Sequence, residues 1–249
     1  MTLELKKAMV LAAGLGKRMR PLTLELPKPL IPVAGKPLID WSLEWLQEAG
    51  ITEVIVNTSY LAEKLEAHLA GRYSPHIRFS REAPQPLETG GGIKHALPLI
   101  GAAPFLVMNS DNIYQREKGA VHPVHHLAKA WREDLDFLML LAPRERAVGW
   151  TGGGDFIRDE NGRIRRPRAG EDAPYIFTGV EIIHPRIFAD SPEGAFSLNV
   201  FWQRLTGEGG WIERVSSIIH EGTWLNVGDL EGLNHTEAAL GRIARTQKN

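Results

Sequence analysis

Residues 8–29 read AMVLAAGLGKRMRPLTLELPKP, and this stretch decides how the first half of the chain should fold. It begins as a buried strand, because residues 8–13 carry only apolar side chains. Gly14 and Gly16 follow, and a glycine lets backbone N–H groups approach a phosphate or a base edge that a Cβ atom would block. Cationic residues come directly afterwards, so the stretch predicts an anion site at the end of a strand.

The spacing in this stretch excludes two common nucleotide-binding loops. A dinucleotide fingerprint requires a third glycine where Met19 stands, and a Walker loop requires Ser or Thr where Arg18 stands. A site for phosphate transfer fits instead. The planar guanidinium of Arg18 can bind two phosphate oxygens together, and Lys28 adds a point charge from a loop shaped by its flanking prolines.

Strand-like segments alternate with helix-like segments over the first 142 residues, which is the pattern of a parallel sheet covered by helices. We predict strands at residues 8–13, 53–57, 77–79, 105–108 and 136–141. We predict helices at residues 37–49, 60–69 and 124–131, and a further one that opens at Pro86 and ends before Pro98. The fold class is therefore α/β.

The second half of the chain has a different pattern. Residues 152–154 are all glycine, and Asn161-Gly162 follows, so turns and short hairpins are predicted here. A long strand at 175–183 and helices near 197–205 and 230–244 complete the chain. Because no repeat or flexible linker divides the sequence, we expect a single domain over residues 1–249, with halves at about 7–142 and 143–240.

The composition narrows the classes of protein. The 249 residues hold 29 Lys and Arg against 30 Asp and Glu, a formal net charge of −1, so nucleic acid is not expected as a partner. Cysteine is absent, which excludes disulfides, thiolate nucleophiles and cysteine-based metal sites. No stretch reaches the roughly 18 apolar residues of a membrane span. We expect a cytoplasmic protein with no membrane segment.

The opening stretch resembles the signature GxGxRxxPxTxxxPKP of the sugar-nucleotide pyrophosphorylase family. Every fixed position is present, as Gly14, Gly16, Arg18, Pro21, Thr23, Pro27, Lys28 and Pro29. The resemblance extends to about residue 240 and is closest to the N-acetylmuramate α-1-phosphate uridylyltransferase branch of peptidoglycan recycling. It implies a GT-A-like nucleotidyltransferase fold, with a Rossmann-like mixed sheet flanked by helices and a smaller β-rich lobe.

The resemblance also implies a reaction, in which a nucleoside triphosphate and a sugar 1-phosphate give a nucleotide sugar and pyrophosphate. It assigns the nucleotide to the first half of the chain, the sugar to the second, and catalysis to Arg18 and Lys28. The enzyme would be a monomer or a small homo-oligomer. The residues expected to bind the nucleotide are Ala12, Ala13, Gly14, Gly16, Glu88 and Gly91.

A second motif runs from Leu87 to Gly92 as Leu-Glu-Thr-Gly-Gly-Gly. Three glycines at a helix start would expose N–H donors, and Glu88 would supply an acceptor beside them. This pairing suits uracil, which offers one N–H between two carbonyl groups. In the family, the corresponding loop contacts base and sugar, which assigns Thr89 to the sugar. The alternative is a capped helix with a flexible lead-in.

Two further segments carry candidate metal ligands. Asp111 follows an apolar strand, at the edge where ligands of open α/β sheets gather, and the family places a metal-binding Asp here. Asn226 stands where many relatives have a second acidic ligand, and its amide oxygen brings no negative charge. Asp229 could compensate, or it could cap the helix that follows. The implied cofactor is Mg²⁺, with Mn²⁺ as the alternative.

Contacts with the sugar are the hardest to predict from the residues. The segments Gly-Asp-Phe and Thr-Gly-Val-Glu resemble the sugar-binding segments of the family, although Glu181 could equally face solvent. The candidates are Asp155, Thr178, Gly179 and Glu181. A basic run of Arg165, Arg166 and Arg168 could meet the lactyl carboxylate of a muramic acid, or it could be a solvated face.

No general base is required for this reaction. The second pKa of a phosphate monoester is about 6, so the attacking phosphate is already largely dianionic at neutral pH. The lack of a Ser-His-Asp or Cys-His constellation is consistent with that chemistry. Two other functions stay open: guanylyl transfer to mannose or heptose 1-phosphate on the same fold, and a non-catalytic sugar-nucleotide sensor, which Asn226 suggests.

Overall fold

The computed structural model describes residues 2–72 and 74–246 of the chain. Its strands are β1 Lys7–Leu11, β2 Pro32–Val33, β3 Lys36–Pro37, β4 Glu53–Thr58, β5 His76–Arg81, β6 Phe105–Asn109, β7 Asn112–Gln115, β8 Phe137–Pro143, β9 Ala147–Val148, β10 Ile157–Arg158, β11 Ile164–Arg165, β12 Tyr175–Ile183, β13 Val215–Ile219 and β14 Thr223–Asn226. Its α-helices are α1 Leu38–Glu48, α2 Ala62–Leu69, α3 Glu88–Ile100, α4 Pro123–Ala130, α5 Asn199–Arg204 and α6 Leu230–Thr246. Short 3₁₀ turns lie at Lys17–Met19, Leu22–Leu24, Lys28–Leu30, Arg144–Arg146, Pro185–Phe188 and Glu208–Gly210.

A seven-stranded mixed sheet forms the centre, in the order β13-β8-β12-β6-β1-β4-β5. Strands β6, β1, β4 and β5 run parallel to one another, whereas β12 runs antiparallel to both β6 and β8. Strands β12 and β13 come from the second half of the chain and pair into the sheet that the first half begins. The fold class is α/β with a mixed sheet, as the sequence predicts.

The sheet is buried on both faces, which explains its apolar strands. Successive side chains of a strand point to opposite faces, and β1 shows this alternation. Ala8 and Val10 pack in one core cluster with Leu43 of α1, while Met9 packs in the other with Ile93 of α3. The two clusters hold the sheet between helices, so the strand ends are fixed relative to one another.

The carboxyl ends of β1, β4, β5 and β6 lie at the same edge of the sheet. A smaller sheet in the order β7-β14-β9 covers one side of that edge. Its register places Asn226 opposite Asn112, the residue after Asp111. The edge therefore collects the turn after β1, the turn after β6 and the end of β14.

Several predicted elements are confirmed with small shifts at their ends. The strand predicted at 175–183 matches β12 without change, and Asn161-Gly162 connects the hairpin of β10 and β11. The end predicted for α3 is wrong, because the helix continues through Pro98 to Ile100. A proline so near the end removes a single backbone hydrogen bond, and Gly101 still donates its N–H to the Leu97 carbonyl.

Strands β7, β13 and β14 were not predicted. Each is four or five residues long, and β13 is held by β8, which lies far away in the sequence. Short strands of mixed polarity leave little signal without their partners. In the described residues, no helix combines the length and the apolar character that crossing a membrane would require.

Candidate active site

A cavity of about 370 Å³ opens at the carboxyl ends of β1 and β6. We call it the strand-end cavity. It brings together most of the residues that the sequence assigns to the nucleotide and to catalysis, together with the metal candidate Asp111 and with Thr89, which the sequence assigns to the sugar. Those that line it are Ala12, Ala13, Gly14, Gly16, Arg18, Lys28, Glu88, Thr89 and Asp111.

The two glycines after β1 are required for different reasons. Gly16 has a φ of +59°, and a Cβ atom there would lie 2.8 Å from the Thr23 side chain. Glycine at this position is therefore needed by the fold itself. A Cβ at Gly14 would meet no atom of the described residues within 4 Å. The fold does not need glycine at position 14, so the missing side chain leaves space in the cavity for a ligand.

Lys28 and Asp111 form an ion pair on the wall of the strand-end cavity. The Lys28 ammonium lies 2.6 Å from a carboxylate oxygen of Asp111, and the two side chains are 13% and 26% exposed. Pro27 and Pro29 flank Lys28 and restrict its loop. The pair places one cation and one anion side by side at the edge of the sheet, which is the charge arrangement that phosphate and a divalent cation require.

A chain of side-chain amides continues from Asp111. Asn112 donates to the second carboxylate oxygen of Asp111 at 3.1 Å, and Asn226 donates to Asn112 at 2.8 Å. This bond leaves the side-chain oxygen of Asn226 facing Gly228. A Cβ atom added at Gly228 would lie 2.7 Å from that oxygen and 3.6 Å from a terminal nitrogen of Arg18. The amide oxygen of Asn226 is thus available beside Arg18.

Asp229 serves the helix that follows it. Its carboxylate accepts the N–H of Gly232 at 2.9 Å, which is the N-cap bond of α6. The capping alternative from the sequence is confirmed. In the described part of the chain, no group of three or more His, Asp or Glu side chains is arranged to hold a metal ion. Asp111 with the Asn226 amide oxygen still fits Mg²⁺, which commonly uses one or two carboxylates and completes its shell with substrate phosphates.

The glycines at the start of α3 contradict the sequence-based expectation. The N–H groups of Gly90 and Gly91 donate to the Phe196 carbonyl at 2.8 and 3.0 Å, so they are not free to read a base. A Cβ at Gly91 would clash with the carbonyl oxygen of Gly194. The expectation that Gly91 offers a free N–H donor to the nucleotide is therefore wrong. The missing side chain of Gly91 instead allows the 194–196 segment to pack against the helix.

Glu88 lies at the rim of the strand-end cavity and is exposed. Its φ is +59°, a left-handed conformation that is uncommon for a residue with a side chain. Such a backbone angle recurs at ligand sites, where the surrounding structure holds it in place. The geometry keeps Glu88 as a candidate for contact with the nucleotide.

Two buried residues at this cavity were missed in the sequence. Asn57 is the penultimate residue of β4 and accepts the Ala12 N–H at 2.7 Å, while its own amide donates to Glu82 at 2.7 Å. The second Glu82 oxygen accepts the Leu87 N–H at 2.6 Å. This network ties the turn after β1 to the segment before α3. A polar residue at the carboxyl end of a buried strand was the available signal.

A second cavity of about 330 Å³ adjoins the first. Its walls carry the rings of Trp150, Phe156, Phe177, Trp202 and Trp224, and we call it the aromatic cavity. Asp155 and Glu181 line it as predicted. The residues that it shares with the strand-end cavity are Leu11, Arg18, Thr89, Asn109 and Asp111.

Glu181 is buried on β12 at the wall of the aromatic cavity. The residue is only 1% exposed, which excludes the alternative that Glu181 faces solvent. One carboxyl oxygen has no hydrogen-bond partner among the described residues. Burial raises the pKa of Glu181 to about 8. The carboxyl group is therefore largely protonated at neutral pH and can donate a hydrogen bond into the cavity.

Thr178 is not a wall residue of either cavity. Its hydroxyl donates to the Leu140 carbonyl at 2.8 Å, and its own carbonyl accepts from Tyr114 and Trp224. The Thr178 hydroxyl and carbonyl are therefore used within the protein, and the structure gives no support to the assignment of Thr178 to the sugar. Gly179 has a φ of +82°, and a Cβ there would lie 2.7 Å from the Asn109 amide nitrogen. Gly179 brings β12 close to Asn109.

Residues 7–164 match the family described as nucleotidyl transferase. The chain belongs to the nucleotidyl transferase family. The family match and the architecture confirm the resemblance that the opening motif indicates. The protein is an enzyme, a sugar-1-phosphate nucleotidyltransferase whose substrates are a nucleoside triphosphate and a sugar phosphate.

Two relatives within the nucleotidyl transferase family span nearly the whole chain. The chain is 45% identical over 240 residues to N-acetylmuramate alpha-1-phosphate uridylyltransferase of Caulobacter vibrioides, covering 94% of this chain and 97% of the relative. It is 38% identical over 243 residues to the enzyme of that name from Neisseria meningitidis, covering 94% and 98%. A mannose-1-phosphate guanyltransferase of Hypocrea jecorina is 42% identical over 112 residues, but covers only 43% of this chain and 30% of the relative.

Solved structures share the fold of this nucleotidyl transferase. HddC from Yersinia pseudotuberculosis, in complex with GMP-PN, superposes with a TM-score of 0.72 at 21% identity, covering 95% of this chain and all of that one. A putative glucose-1-phosphate thymidylyltransferase from Bacillus anthracis superposes with a TM-score of 0.74 at 18% identity, covering 94% of both chains. At these identities the likeness shows the fold alone.

Proposed function

We propose that the chain transfers a uridylyl group from UTP to N-acetylmuramic acid α-1-phosphate. An oxygen of the sugar phosphate attacks the α-phosphorus of UTP, the bond from that phosphorus to the bridging β-phosphate oxygen breaks, and pyrophosphate leaves. The two near-full-length relatives carry the name of this activity. The observation that carries the proposal is the junction of the two cavities at Arg18 and Asp111, because the reacting phosphates must meet between nucleotide and sugar.

The two halves of the chain divide the work in this proposal. The strand-end cavity is lined by residues 11–111 with the single addition of Gly228. The aromatic cavity draws most of its wall from residues 150–226. We therefore assign the nucleotide to the half at about 7–142 and the sugar to the half at about 143–240, within one domain.

The nucleotide lies against the turn after β1 in this proposal. Gly14 supplies space for it, and the backbone of Ala12 and Ala13 forms the floor beneath it. The buried Asn57 and Glu82 hold that floor in register with the segment before α3. Such prior fixing of the backbone lowers the entropy cost of binding.

Catalysis depends on charge and position. The sugar phosphate is already a strong nucleophile at neutral pH, so the protein must bring anions together and stabilise the charge that spreads in the transition state. Arg18 lines both cavities and can bind oxygens of both reacting groups. Lys28 adds a second cation from the wall of the strand-end cavity. Lys28 is held in place by its flanking prolines and by its ion pair with Asp111, so this cation needs little reorganisation during reaction.

A divalent cation, Mg²⁺ or Mn²⁺, is part of the proposal. Asp111 and the amide oxygen of Asn226 are the residues that would hold it, together with phosphate oxygens of the substrates. When bound, the cation supplies positive charge that neutralises the phosphates. Asp111, which pairs with Lys28 in this structure, would be the acidic ligand of the cation, and Lys28 would contribute its own positive charge beside the phosphates.

The sugar occupies the aromatic cavity in this proposal. Aromatic rings pack against the apolar faces of a pyranose, and a few polar groups fix its orientation. Glu181 donates from its protonated carboxyl group, and Asp155 is held in place by the Phe177 N–H at 2.9 Å. Thr89 lies at the junction and accepts the Leu198 N–H at 3.0 Å, so it joins the two halves beside the reacting groups.

The experiment that tests the proposal measures pyrophosphate release by the purified chain. UTP and GTP are each paired with N-acetylmuramic acid, mannose and heptose 1-phosphates. The highest kcat/KM is expected for UTP with N-acetylmuramic acid α-1-phosphate, and Lys28→Ala serves as the inactive control. Preference for GTP with mannose or heptose 1-phosphate would establish the guanylyltransferase alternative instead. Release with none of the pairs would contradict the proposal.

The proposal places the enzyme in the cytoplasm, as a monomer or a small homo-oligomer. Both cavities are lined by residues of this one chain, so a single copy carries the whole set of walls. Light scattering after size-exclusion chromatography measures the oligomeric state, and activity across a dilution series shows whether that state affects turnover.

A further inference from the structure

The basic run in the second half divides into residues with different surroundings. Arg165 is paired in a fork with Glu171, with nitrogen to oxygen distances of 2.5 and 2.6 Å, and its side chain is 14% exposed. Its charge is therefore fully matched. Arg168 is exposed and is not part of either cavity wall. Arg166 alone among these three lines the aromatic cavity.

The Arg166 guanidinium rests on an aromatic platform. It lies 4.4 Å from the centre of the Phe156 ring and 5.3 Å from that of Trp202. Cation–π contacts of this kind fix the plane of a guanidinium without using its N–H donors. Its position in the cavity wall is therefore set by packing, and its hydrogen-bonding edge is left for other partners.

The polar contacts of Arg166 are long compared with those of Arg165. Its nearest carboxylate oxygen is on Asp155 at 3.6 Å, and it donates to the Asp155 carbonyl at 3.3 Å and to the Asn199 side chain at 3.2 Å. Asp155 is itself fixed by the Phe177 N–H. In the described residues the Nε–H of Arg166 donates to no acceptor.

The charge of Arg166 is incompletely matched. Its side chain is 46% exposed, and burial lowers the pKa of the guanidinium although the Asp155 carboxylate raises it. A guanidinium remains charged in any case. Its one anionic neighbour among the described residues is Asp155, at the long distance of 3.6 Å, so the guanidinium keeps donors in the cavity wall that the protein does not use.

We propose that Arg166 binds a carboxylate carried by the sugar, and so selects an acidic sugar phosphate over its neutral counterpart. The proposal rests on the proposed function, in which the sugar is N-acetylmuramic acid with its lactyl carboxylate. A planar fork on a fixed platform suits a carboxylate, which accepts two parallel hydrogen bonds. Arg166 is thus a specificity-determining residue, and Asp155 and Asn199 are its positioning residues.

A sugar phosphate has a second anion, its phosphate group, and the arrangement separates the two. Arg18 and Arg166 are the cations in the wall of the aromatic cavity, and only Arg18 also lines the strand-end cavity. The phosphate must lie at the junction, where it meets the nucleotide. Arg166 is left for a substituent at the far side of the sugar.

The test compares N-acetylmuramic acid α-1-phosphate with N-acetylglucosamine α-1-phosphate, which is the same sugar without the lactyl group. For Arg166→Met, we expect KM for the muramic acid substrate to rise about 10- to 100-fold, the range for a charge-assisted hydrogen-bonded pair. The kcat should stay close to wild type, because the contact is made equally in ground and transition states. The inhibition constant of N-acetylglucosamine α-1-phosphate should be unchanged.

Arg166→Lys and Arg163→Met complete the experiment. Lysine keeps the charge but cannot form the fork, so an intermediate KM is expected. Arg163 is exposed on the same hairpin and pairs with Asp159, so its loss controls for a missing positive charge. Weakened binding of both sugar phosphates to the same degree would overturn the proposal and place Arg166 on the phosphate. An unchanged KM would overturn it as well.

Failure of the proposed function would look different. If the wild-type enzyme releases pyrophosphate with other sugar phosphates and not with N-acetylmuramic acid α-1-phosphate, the substrate assignment is wrong, whatever Arg166 does. If the wild-type enzyme uses that substrate and the Arg166→Met variant binds it equally well, only the inference about Arg166 fails. The unfolding temperature of each variant confirms that the comparison is made between folded proteins.

Discussion

The two cavities meet at Arg18 and Asp111, yet they are built in different ways. The strand-end cavity is made largely from the backbone of turns that follow parallel strands, with glycine where a ligand comes close. The aromatic cavity is made from side chains, and it includes a buried carboxyl group and an incompletely matched guanidinium. The first construction suits groups that every nucleotide has, and the second suits a choice among sugars.

Lys28→Ala is expected to have the largest effect, and to act on all substrate pairs alike. A preorganised cation that stabilises transition-state charge contributes about 10²- to 10³-fold to kcat. Because the residue lies in a polar loop, the fold should persist. The measurement is kcat with UTP and two different sugar phosphates.

Lys36→Ala is the matched control for Lys28, since Lys36 pairs with Glu44 away from both cavities. A Lys28→Ala enzyme with turnover within about tenfold of wild type would contradict a catalytic role, because the expected loss is at least tenfold greater. A loss of kcat with only one of the two sugar phosphates would contradict the assignment of nucleotide and sugar to separate cavities.

Glu181→Gln is expected to change how stability depends on pH. The folded-state pKa is about 8 and the ordinary value is 4.5, so between these values the unfolded chain releases a proton that the folded chain keeps. The free energy of unfolding of the wild type should therefore fall as pH rises through this window, by up to about 1.4 kcal/mol per pH unit. The glutamine variant lacks this contribution and should be the more stable protein at pH 8.

Urea unfolding at pH 5, 6.5 and 8 measures the Glu181 contribution directly. The exposed Glu160 provides the control, since Glu160→Gln removes an acid without removing a buried one. The KM for UTP should be unchanged in the Glu181 variant, because the residue lines the aromatic cavity only. Identical pH dependence in wild type and Glu181→Gln would show that the carboxyl group is not neutral in the folded enzyme.

Gly14→Ala and Gly91→Ala test the construction of the strand-end cavity. The Gly91 variant must displace the 194–196 segment, so it should lose about 1–3 kcal/mol of stability, as overpacked sites do. The Gly14 variant has open space for its methyl group and an ordinary backbone angle. It should keep its stability and bind UTP more weakly.

The readouts for the glycine pair are the unfolding temperature and the KM for UTP, measured for both variants. We expect Gly91→Ala to lower the unfolding temperature and Gly14→Ala to raise the KM for UTP. A Gly91→Ala enzyme with normal stability would contradict the close packing against Gly194. A Gly14→Ala enzyme with an unchanged KM would remove this position from the nucleotide contact surface.

Asn226→Asp is expected to have the smallest effect, at the junction of the cavities. The added carboxylate should raise metal affinity, so the Mg²⁺ concentration at half-maximal rate should fall several-fold, while kcat need not rise. Excess chelator should abolish turnover in wild type and variant. Asp229→Asn keeps a good helix cap and should leave the Mg²⁺ titration unchanged. An unchanged half-saturation in Asn226→Asp would place Asn226 outside the coordination sphere.

The strand-end cavity could be predicted closely from the sequence. Strands buried on both faces are largely apolar, so β1, β4 and β6 were found with errors of a few residues at their ends. Ligands gather at the carboxyl ends of such strands, and Arg18, Lys28 and Asp111 do line one cavity. Local signals were sufficient because each of these residues lies next to the element that positions it.

The aromatic cavity could not be predicted in this way. The three glycines after Thr89 look like free donors, yet the N–H groups of Gly90 and Gly91 both donate to the Phe196 carbonyl, far away in the sequence. Thr178 looks like a sugar contact, yet its hydroxyl donates a hydrogen bond to the Leu140 carbonyl on the neighbouring strand. In the basic run, charge alone does not distinguish Arg165 from Arg166. Their difference comes from Glu171 and from two aromatic rings, which only the tertiary structure brings together.

The ion pair between Lys28 and Asp111 makes the empty enzyme selective about what may enter first. A lone anion that draws Lys28 away leaves the carboxylate facing negative charge, and a lone cation that draws Asp111 away leaves the ammonium without its counterion. A ligand that brings both charges at once replaces both partners together. The ion pair would therefore couple the binding of the phosphates to the binding of a counterion, and by linkage each would strengthen the binding of the other.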